Sequence, residues 1–166
     1  METLIVYKSY HHMNTEKVAL TMAEVIEAQL SKVEDVAPEA LREFDLIGLG
    51  SGIYGSKHHN ALIGLVEAMP AMEKDVFVFS TAGILRNANH QVIREKLVEK
   101  GCHIVGEFAC AGQFAGTLRL RRDGTVVGEF IGAMNKGHPN EMDLDNARAF
   151  AKTLLNTQVT PSSEPI

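Results

Sequence analysis

The sequence predicts an α/β protein, a parallel sheet covered by helices on both faces, and three observations carry that expectation. Short apolar runs of β type alternate with amphipathic helical stretches along most of the 166 residues. The run FDLIGLG at 44–50 is continuously apolar rather than alternating, which marks a strand buried on both faces. With 45% hydrophobic and 22% charged residues, the chain has enough apolar material for one well-filled core at a length that suits a single domain.

The elements follow in order. TLIVY at 3–7 is the first strand. A helix over 15–30 turns Val18, Met22, Val25, Ile26 and Leu30 to one side. A brief second strand is expected at 32–36, a connection at 38–43, and the third strand at 44–50. Asn60 is the expected N-cap of a helix carrying Leu62, Leu65, Val66 and Met69 on one face, with Pro70 beyond its end. DVFVFS at 75–80 is the fourth strand, 89–100 a helix bounded by Gly101, and CHIVGEFAC at 102–110 the fifth strand. Before the last helix, Asn140 is a cap residue while Glu141 and Asp143 suit the positive end of the helix dipole; Leu144, Ala147, Ala151 and Leu154 recur at helical spacing. The segment 118–131 alternates apolar and basic residues before an Asp123-Gly124 turn and reads as an inserted β-hairpin, with Arg119, Arg121 and Arg122 on a solvated face. One domain over 1–155 and a disordered tail over 156–166, rich in Pro and Ser, complete the organisation.

Several function classes are disfavoured at once. Net charge is −5 and no basic face is apparent, so nucleic acid is not an expected partner. The N-terminus lacks a basic and apolar leader, and no apolar run approaches a membrane span, so a cytoplasmic protein is expected. Cys102 and Cys110 fit neither a zinc spacing nor a disulfide framework and read as small buried hydrophobes. No nucleophile arrangement is evident, since Ser51 does not sit in a G-x-S-x-G elbow.

In an open parallel sheet, ligands bind beyond the carboxyl ends of the strands. The loops there are 9–14, 51–59, 81–88 and 111–116. The first contains neither a dinucleotide fingerprint nor a phosphate loop of the usual motif. Ser9, Asn14 and Thr15 nevertheless provide neutral donors beside the free N–H groups of a helix start, which suits a phosphate; the same residues serve equally well as a helix cap and a turn closure. The second loop sets Gly52 and Gly55 around an exposed Ile53-Tyr54 pair suited to a planar ligand. Small residues return at 80–83 and 111–116, and four such loops at one edge suit a flat ligand with a phosphate tail. The pairs His11-His12 and His58-His59 face the same place from exposed loops; adjacent histidines seldom chelate one ion, so contact with phosphate or solvent is favoured over a metal.

At these residues the chain resembles the flavodoxin family: SYHHMNTEKVA, DLIGLGSGIYGSKHH, VFVFSTAGI and NKGHPNEMDLDNA together cover nearly its whole length. The resemblance implies a flavodoxin-like three-layer sandwich with a five-stranded parallel sheet of order 2-1-3-4-5, and non-covalent FMN. By the same resemblance Ser9, His11 or His12, Asn14 and Thr15 hold the phosphate; Gly52, Ile53, Tyr54 and Gly55 line the isoalloxazine ring; and Thr81, Ala82, Gly83, Ala111 and Gly112 close its other sides. Where the family's phosphate loop has glycine and more Ser or Thr, this chain has His11, His12 and Met13, and a positive φ is costly at Met13. Three functions compete. One is an FMN electron carrier served by a redox partner protein, another an FMN-dependent NAD(P)H:quinone-type reductase with a small-molecule acceptor, and the third a flavin-free binding module.

Overall fold

The computed structural model describes residues 1–83, 88–113, 117–122, 125–131 and 135–157. Five long parallel strands form the central sheet: β1 (Thr3–Lys8), β2 (Gln29–Lys32), β3 (Leu46–Tyr54), β5 (Asp75–Ala82) and β6 (His103–Ala111). Their spatial order is β2-β1-β3-β5-β6, and the two-residue strand β4 (Lys57–His58) pairs antiparallel with the end of β3. Setting β4 aside, this is the 2-1-3-4-5 order that the resemblance implied. The order turns back between β1 and β3, which is where an open α/β sheet binds ligands.

Helices α1 (Asn14–Ile26) and α4 (Glu141–Thr157) cover one face, and α2 (Asn60–Ala68) and α3 (Gln91–Glu99) the other. Strand periodicity sorts the two cores. Leu46, Phe77 and Phe79 face α1 and α4 with Val18, Met22, Ile26, Ala147, Ala151 and Leu154. Ile47, Leu49, Val76 and Val78 face α2 and α3 with Leu62, Leu65, Val66, Ile93 and Leu97. β3 leaves room for the two phenylalanines: a Cβ placed on Gly48 would lie 2.3 Å from Phe77 Cζ, and one on Gly50 only 2.1 Å from Phe79 Cζ.

Some boundaries differ from those expected. Helix α1 stops at Ile26 because Glu27 turns left-handed, with φ 52°, and Ala28 N–H bonds back to Ala23 O at 3.0 Å. Leu30 extended the apolar period because it packs on the same core from β2. The second strand therefore runs Gln29–Lys32 rather than 32–36, and Val33–Asp35 and Pro38–Glu43 are 3₁₀ turns. α2 is capped not by Asn60 but by His59, whose Nδ1 accepts Ala61 N–H at 3.0 Å. α4 opens as expected at Asn140, where Asn140 Oδ1 accepts Asp143 N–H and Asp143 Oδ2 accepts Asn140 N–H. It runs through Asn156 and Thr157, which belong to the helix rather than to a tail; 158–166 lie outside the described residues.

The inserted hairpin is present as β7 (Thr117–Arg122) and β8 (Thr125–Ile131), an antiparallel pair separate from the main sheet. Its Asp123-Gly124 turn and the side chains of Arg119, Arg121 and Arg122 lie outside the described residues. Cys102 and Cys110 are both buried and free, and burial pushes the Cys110 thiol up to about 12. Among the described residues no helix is long and apolar enough to cross a membrane.

Candidate functional site

The loop after β1 is built on backbone that side chains rarely adopt. His12 and Met13 are both left-handed, with φ 54° and 52°, and lead straight into α1. Each non-glycine residue held this way costs about 1–3 kcal/mol, so the surroundings must enforce the turn. Met13 thus adopts the positive φ that its side chain resists. Ser9 Oγ accepts the Glu16 N–H at 3.3 Å, while Met13, in the cap position, makes no side-chain cap bond. The start of the helix is therefore left with the positive end of its dipole toward the turn.

Asn14 and Thr15, both buried, tie this turn to the neighbouring strand ends. Asn14 Nδ2 donates to Gln113 O at 2.8 Å, and the Thr15 and Thr81 hydroxyls share a hydrogen bond of 2.9 Å. Asn14 Oδ1 is buried without a hydrogen-bond partner. The approach is close enough to need glycine: a Cβ on Gly112 would lie 2.8 Å from Asn14 Nδ2 and 3.2 Å from Thr81 Cβ. Gly112 N–H donates to Ala82 O at 3.0 Å, and Asn135 Nδ2 donates to Gly83 O at 2.6 Å. The structure therefore brings together Ser9, His12, Met13, Asn14, Thr15, Thr81, Ala82, Gly83, Ala111 and Gly112. His11 lies in the same turn. Residues 84–87 and 114–116 of the third and fourth loops lie outside the described residues.

The second loop is not a loop throughout. β3 continues to Tyr54, and the chain reverses at Gly55 and Ser56, with φ 55° and 62°, before Lys57 and His58 pair with Tyr54 and Ile53. Two positive φ values in a two-residue turn are what a tight hairpin demands. Tyr54 folds over Gly52, and its ring meets His59 edge-on with centroids 5.5 Å apart. Tyr10 approaches the same imidazole at 5.3 Å, and Lys8 Nζ lies 4.5 Å from the Tyr10 ring centroid. Tyr10, Tyr54, Lys57, His58, His59 and Asn60 line a cavity of about 610 Å³, within the range of small-molecule sites. Tyr10, Lys57 and Asn135 were not among the expected site residues, although each lies in a segment that carries the family resemblance.

The two histidines of the KHH segment separate in role. His59 is partly exposed, and burial followed by Lys8 lowers its pKa. His58, expected in an exposed loop, is 1% exposed instead and stands against His90. Burial, then the His90 charge, hold it down at about 4. Among the described residues no group of three or more His, Cys, Asp or Glu is placed to hold a metal ion.

A doubly wound parallel sheet whose carboxyl edge gathers small-residue loops around a helix start defines the flavodoxin-like class of fold. The model of the family described as "Flavodoxin domain" matches residues 4–145, and the chain belongs to that family. It is 41% identical over 158 residues to the uncharacterised protein MJ0298 of Methanocaldococcus jannaschii, an alignment covering 93% of this chain and 99% of that one. Among solved structures, a flavodoxin from the domain Archaea superposes with a TM-score of 0.66 at 18% identity, covering 95% of this chain and 98% of the other. Flavodoxin 2 from Bacillus cereus gives 0.65 at 20% identity, with 95% and 99% covered. The Fusobacterium nucleatum flavodoxin, solved bound to flavin mononucleotide, gives 0.64 at 13% identity over 95% and 99%. At such identities these likenesses speak for the fold.

Proposed function

We propose that the chain binds FMN at this edge and serves as an electron-transfer flavoprotein. The observation that carries the reading is the doubly left-handed His12-Met13 turn, strained for no gain in packing since Met13 is 40% exposed, set against the buried Asn14-Thr15-Thr81-Gly112 cradle. Strain kept where neither residue needs it for the core is what a ligand site would retain. The residues present also fit the group. A helix start opening on a turn of N–H groups suits the phosphate. The buried acceptor Asn14 Oδ1, without a donor of its own, suits a hydroxyl of the ribityl chain. Tyr54 and Gly52 supply an aromatic wall and a close backbone for the ring.

In this reading Ser9 and the backbone N–H groups of Asn14 and Thr15 hold the phosphate end, with His11 or His12 beside it, and Gly52, Ile53, Tyr54 and Gly55 flank the ring. Thr81, Ala82, Gly83, Ala111 and Gly112 close the remaining sides. FMN supplies one- and two-electron transfer when bound; the chain's part is to bind it, to keep water from one side and to leave an edge open to a redox partner. Thr15 and Thr81 fix the two loops relative to each other, and the His59 cap holds the start of α2 beside the ring wall.

The cavity beside Tyr10 and Tyr54 gives the reductase its own support, because a second small molecule would need such space next to the ring. FMN fluorescence titration of the purified chain at pH 7 tests the proposal: quenching and a yellow complex are expected, with affinity about tenfold weaker in Asn14→Ala. A chain that stays colourless and leaves FMN fluorescence unquenched sinks it and favours a flavin-free module. Turnover of NADH or NADPH with a quinone would move the assignment from carrier to reductase.

A further inference from the structure

A chain of buried polar groups lies under the same end of the sheet and is not used by the reading above. His58 Nε2–H donates to the Phe79 carbonyl at 3.2 Å, so Nδ1 of the neutral ring carries the lone pair. That Nδ1 is buried and has no hydrogen-bond partner. The His90 ring lies 4.8 Å away, centroid to centroid, inclined by 49°. His90 is fully satisfied: the Ser80 hydroxyl donates to its Nε2 at 2.8 Å, and its Nδ1–H donates to Glu107 at 3.0 Å. Glu107 also accepts two N–H groups from Arg94, at 2.9 and 3.0 Å.

Serine, histidine and carboxylate in this order resemble a nucleophile relay, but Ser80 is 0% exposed and no substrate reaches its hydroxyl. The connectivity points elsewhere. His58 belongs to the two-residue strand that folds Tyr54 and Gly55 back on β3, whereas His90 stands at the entry of α3. Contact between the two imidazoles therefore ties the 53–58 hairpin to β5 and α3.

The tie is stable only while both rings are neutral. A proton on His58 Nδ1 would find no acceptor in place. From the entry of α3 it faces His90; from β6 the Glu107 carboxylate acts on it but is already engaged by His90 and Arg94; and from β5 it faces the Phe79 carbonyl, which Nε2–H occupies. Lys57 and His59 flank it in the chain.

We propose that the His58-His90 pair is an acid-opened latch: neutral, it clamps the 53–58 hairpin against β5 and α3, and a proton taken up at His58 Nδ1 expels the ring and frees the hairpin. The latch needs no ligand; only its consequence, weaker FMN binding in acid, rests on the function proposed above. In the open form His58 titrates near its ordinary 6.5, and in the closed form near 4, with Glu107 favouring the charged form in both histidines. Opening therefore gains about tenfold for each pH unit between those values, roughly 300-fold in all.

Amide hydrogen exchange of the ligand-free full chain, corrected for intrinsic rates and read beside histidine Cε1 NMR shifts from pH 7.5 to 4.5, tests this. Protection of the 53–58 amides is expected to fall as His58 protonates, while that of Ile47 and Leu49 holds. His58→Gln keeps a donor for the Phe79 carbonyl yet takes no proton, so its protection should not follow pH. Glu107→Gln removes the carboxylate that favours the charged ring in the closed form, so the closed form holds the proton less well and release of the hairpin in acid should persist undiminished. Hairpin protection that parallels Ile47 and Leu49 at every pH overturns the latch, as does wild-type pH dependence in His58→Gln. Should that variant not fold, a Glu107→Gln chain whose hairpin protection no longer falls in acid overturns it instead. FMN titration of the same samples at pH 7 scores the function separately: release without FMN binding keeps the latch and loses the flavin, and FMN binding without release does the reverse.

Discussion

The two faces of the sheet solve the same packing problem with different materials. Toward α1 and α4 the strands present glycines and phenylalanines, and Phe77, Phe79 and Phe150 pack ring to ring at 6.1–6.2 Å between centroids. Toward α2 and α3 the aliphatic core of Val76, Val78 and Ile93 gives way, at the carboxyl end of the strands, to Ser80, His58, His90 and Glu107. The first face is apolar until the carboxyl end of its strands, where Asn14, Thr15 and Thr81 meet, and none of those three takes up a proton in the range of a histidine. The second carries titratable groups inside, so its stability depends on their staying neutral. The sheet thus has one face that only holds and one that can respond.

The largest effect expected is on the first face. Gly50→Ala places a methyl 2.1 Å from Phe79 Cζ, and Phe79 is itself 0% exposed with no room to retreat. Overpacking of this kind costs about 3 kcal/mol. Chemical denaturation at pH 7 should show that loss, and the same loss at pH 5 if the two faces are independent.

The next effect belongs to the second face and is a matter of sign. His58 is held below its ordinary 6.5, at about 4, by burial. The unfolded chain therefore binds more protons than the folded one between those values, and stability is complete above pH 6.5 and falls as pH drops toward 4. The loss is about 3 kcal/mol at 1.4 kcal/mol per unit. His90, also lowered by burial, acts in the same direction. Denaturant midpoints of wild type and His58→Gln across pH 7.5 to 4.5 check this: the wild type should soften more in acid, and the loss left in His58→Gln is the share of His90. If the hairpin opens locally first, the global loss levels off before its full value.

A smaller effect tests the join between the site's loops. Thr15→Val leaves the buried Thr81 hydroxyl without its partner at 2.9 Å and should cost about 1–2 kcal/mol. The double variant Thr15→Val/Thr81→Val should recover most of that, because two apolar groups replace a satisfied pair. A double variant as unstable as the sum of the singles would show that the hydroxyls do something besides face each other.

These contrasts were unevenly legible in the sequence. Helix faces such as Val18-Met22-Ile26 and Leu62-Leu65-Val66 follow from the 3.6-residue period, and they pack as expected. The end of α1 did not follow, because Leu30 stays in phase with the helix while belonging to β2. Strand ends located the loops at the carboxyl edge, including the turn at His12-Met13. The polar cluster had no local signature: residues 58, 80, 90 and 107 meet only through the register of β3, β5 and β6, which pairs Val78 with Glu107 and Ile53 with His58. Only the fold aligns them.

The smallest effect is also the one that joins stability to the site. Met13 at φ 52° follows His12 at φ 54°, and neither side chain buys core packing for its strain. Met13→Gly removes a Cβ from a left-handed residue that is 40% exposed, so little burial is lost. Relief of strain outweighs the extra freedom of glycine in the unfolded chain, and a gain of about 0.5–1 kcal/mol is expected in denaturation at pH 7. FMN titration of the same variant separates two reasons for keeping methionine. Affinity equal to wild type makes Met13 a spectator whose backbone alone matters. A loss of affinity beside the gain in stability would show that the side chain covers the ligand, and that the strain is retained for contact rather than for the shape of the turn.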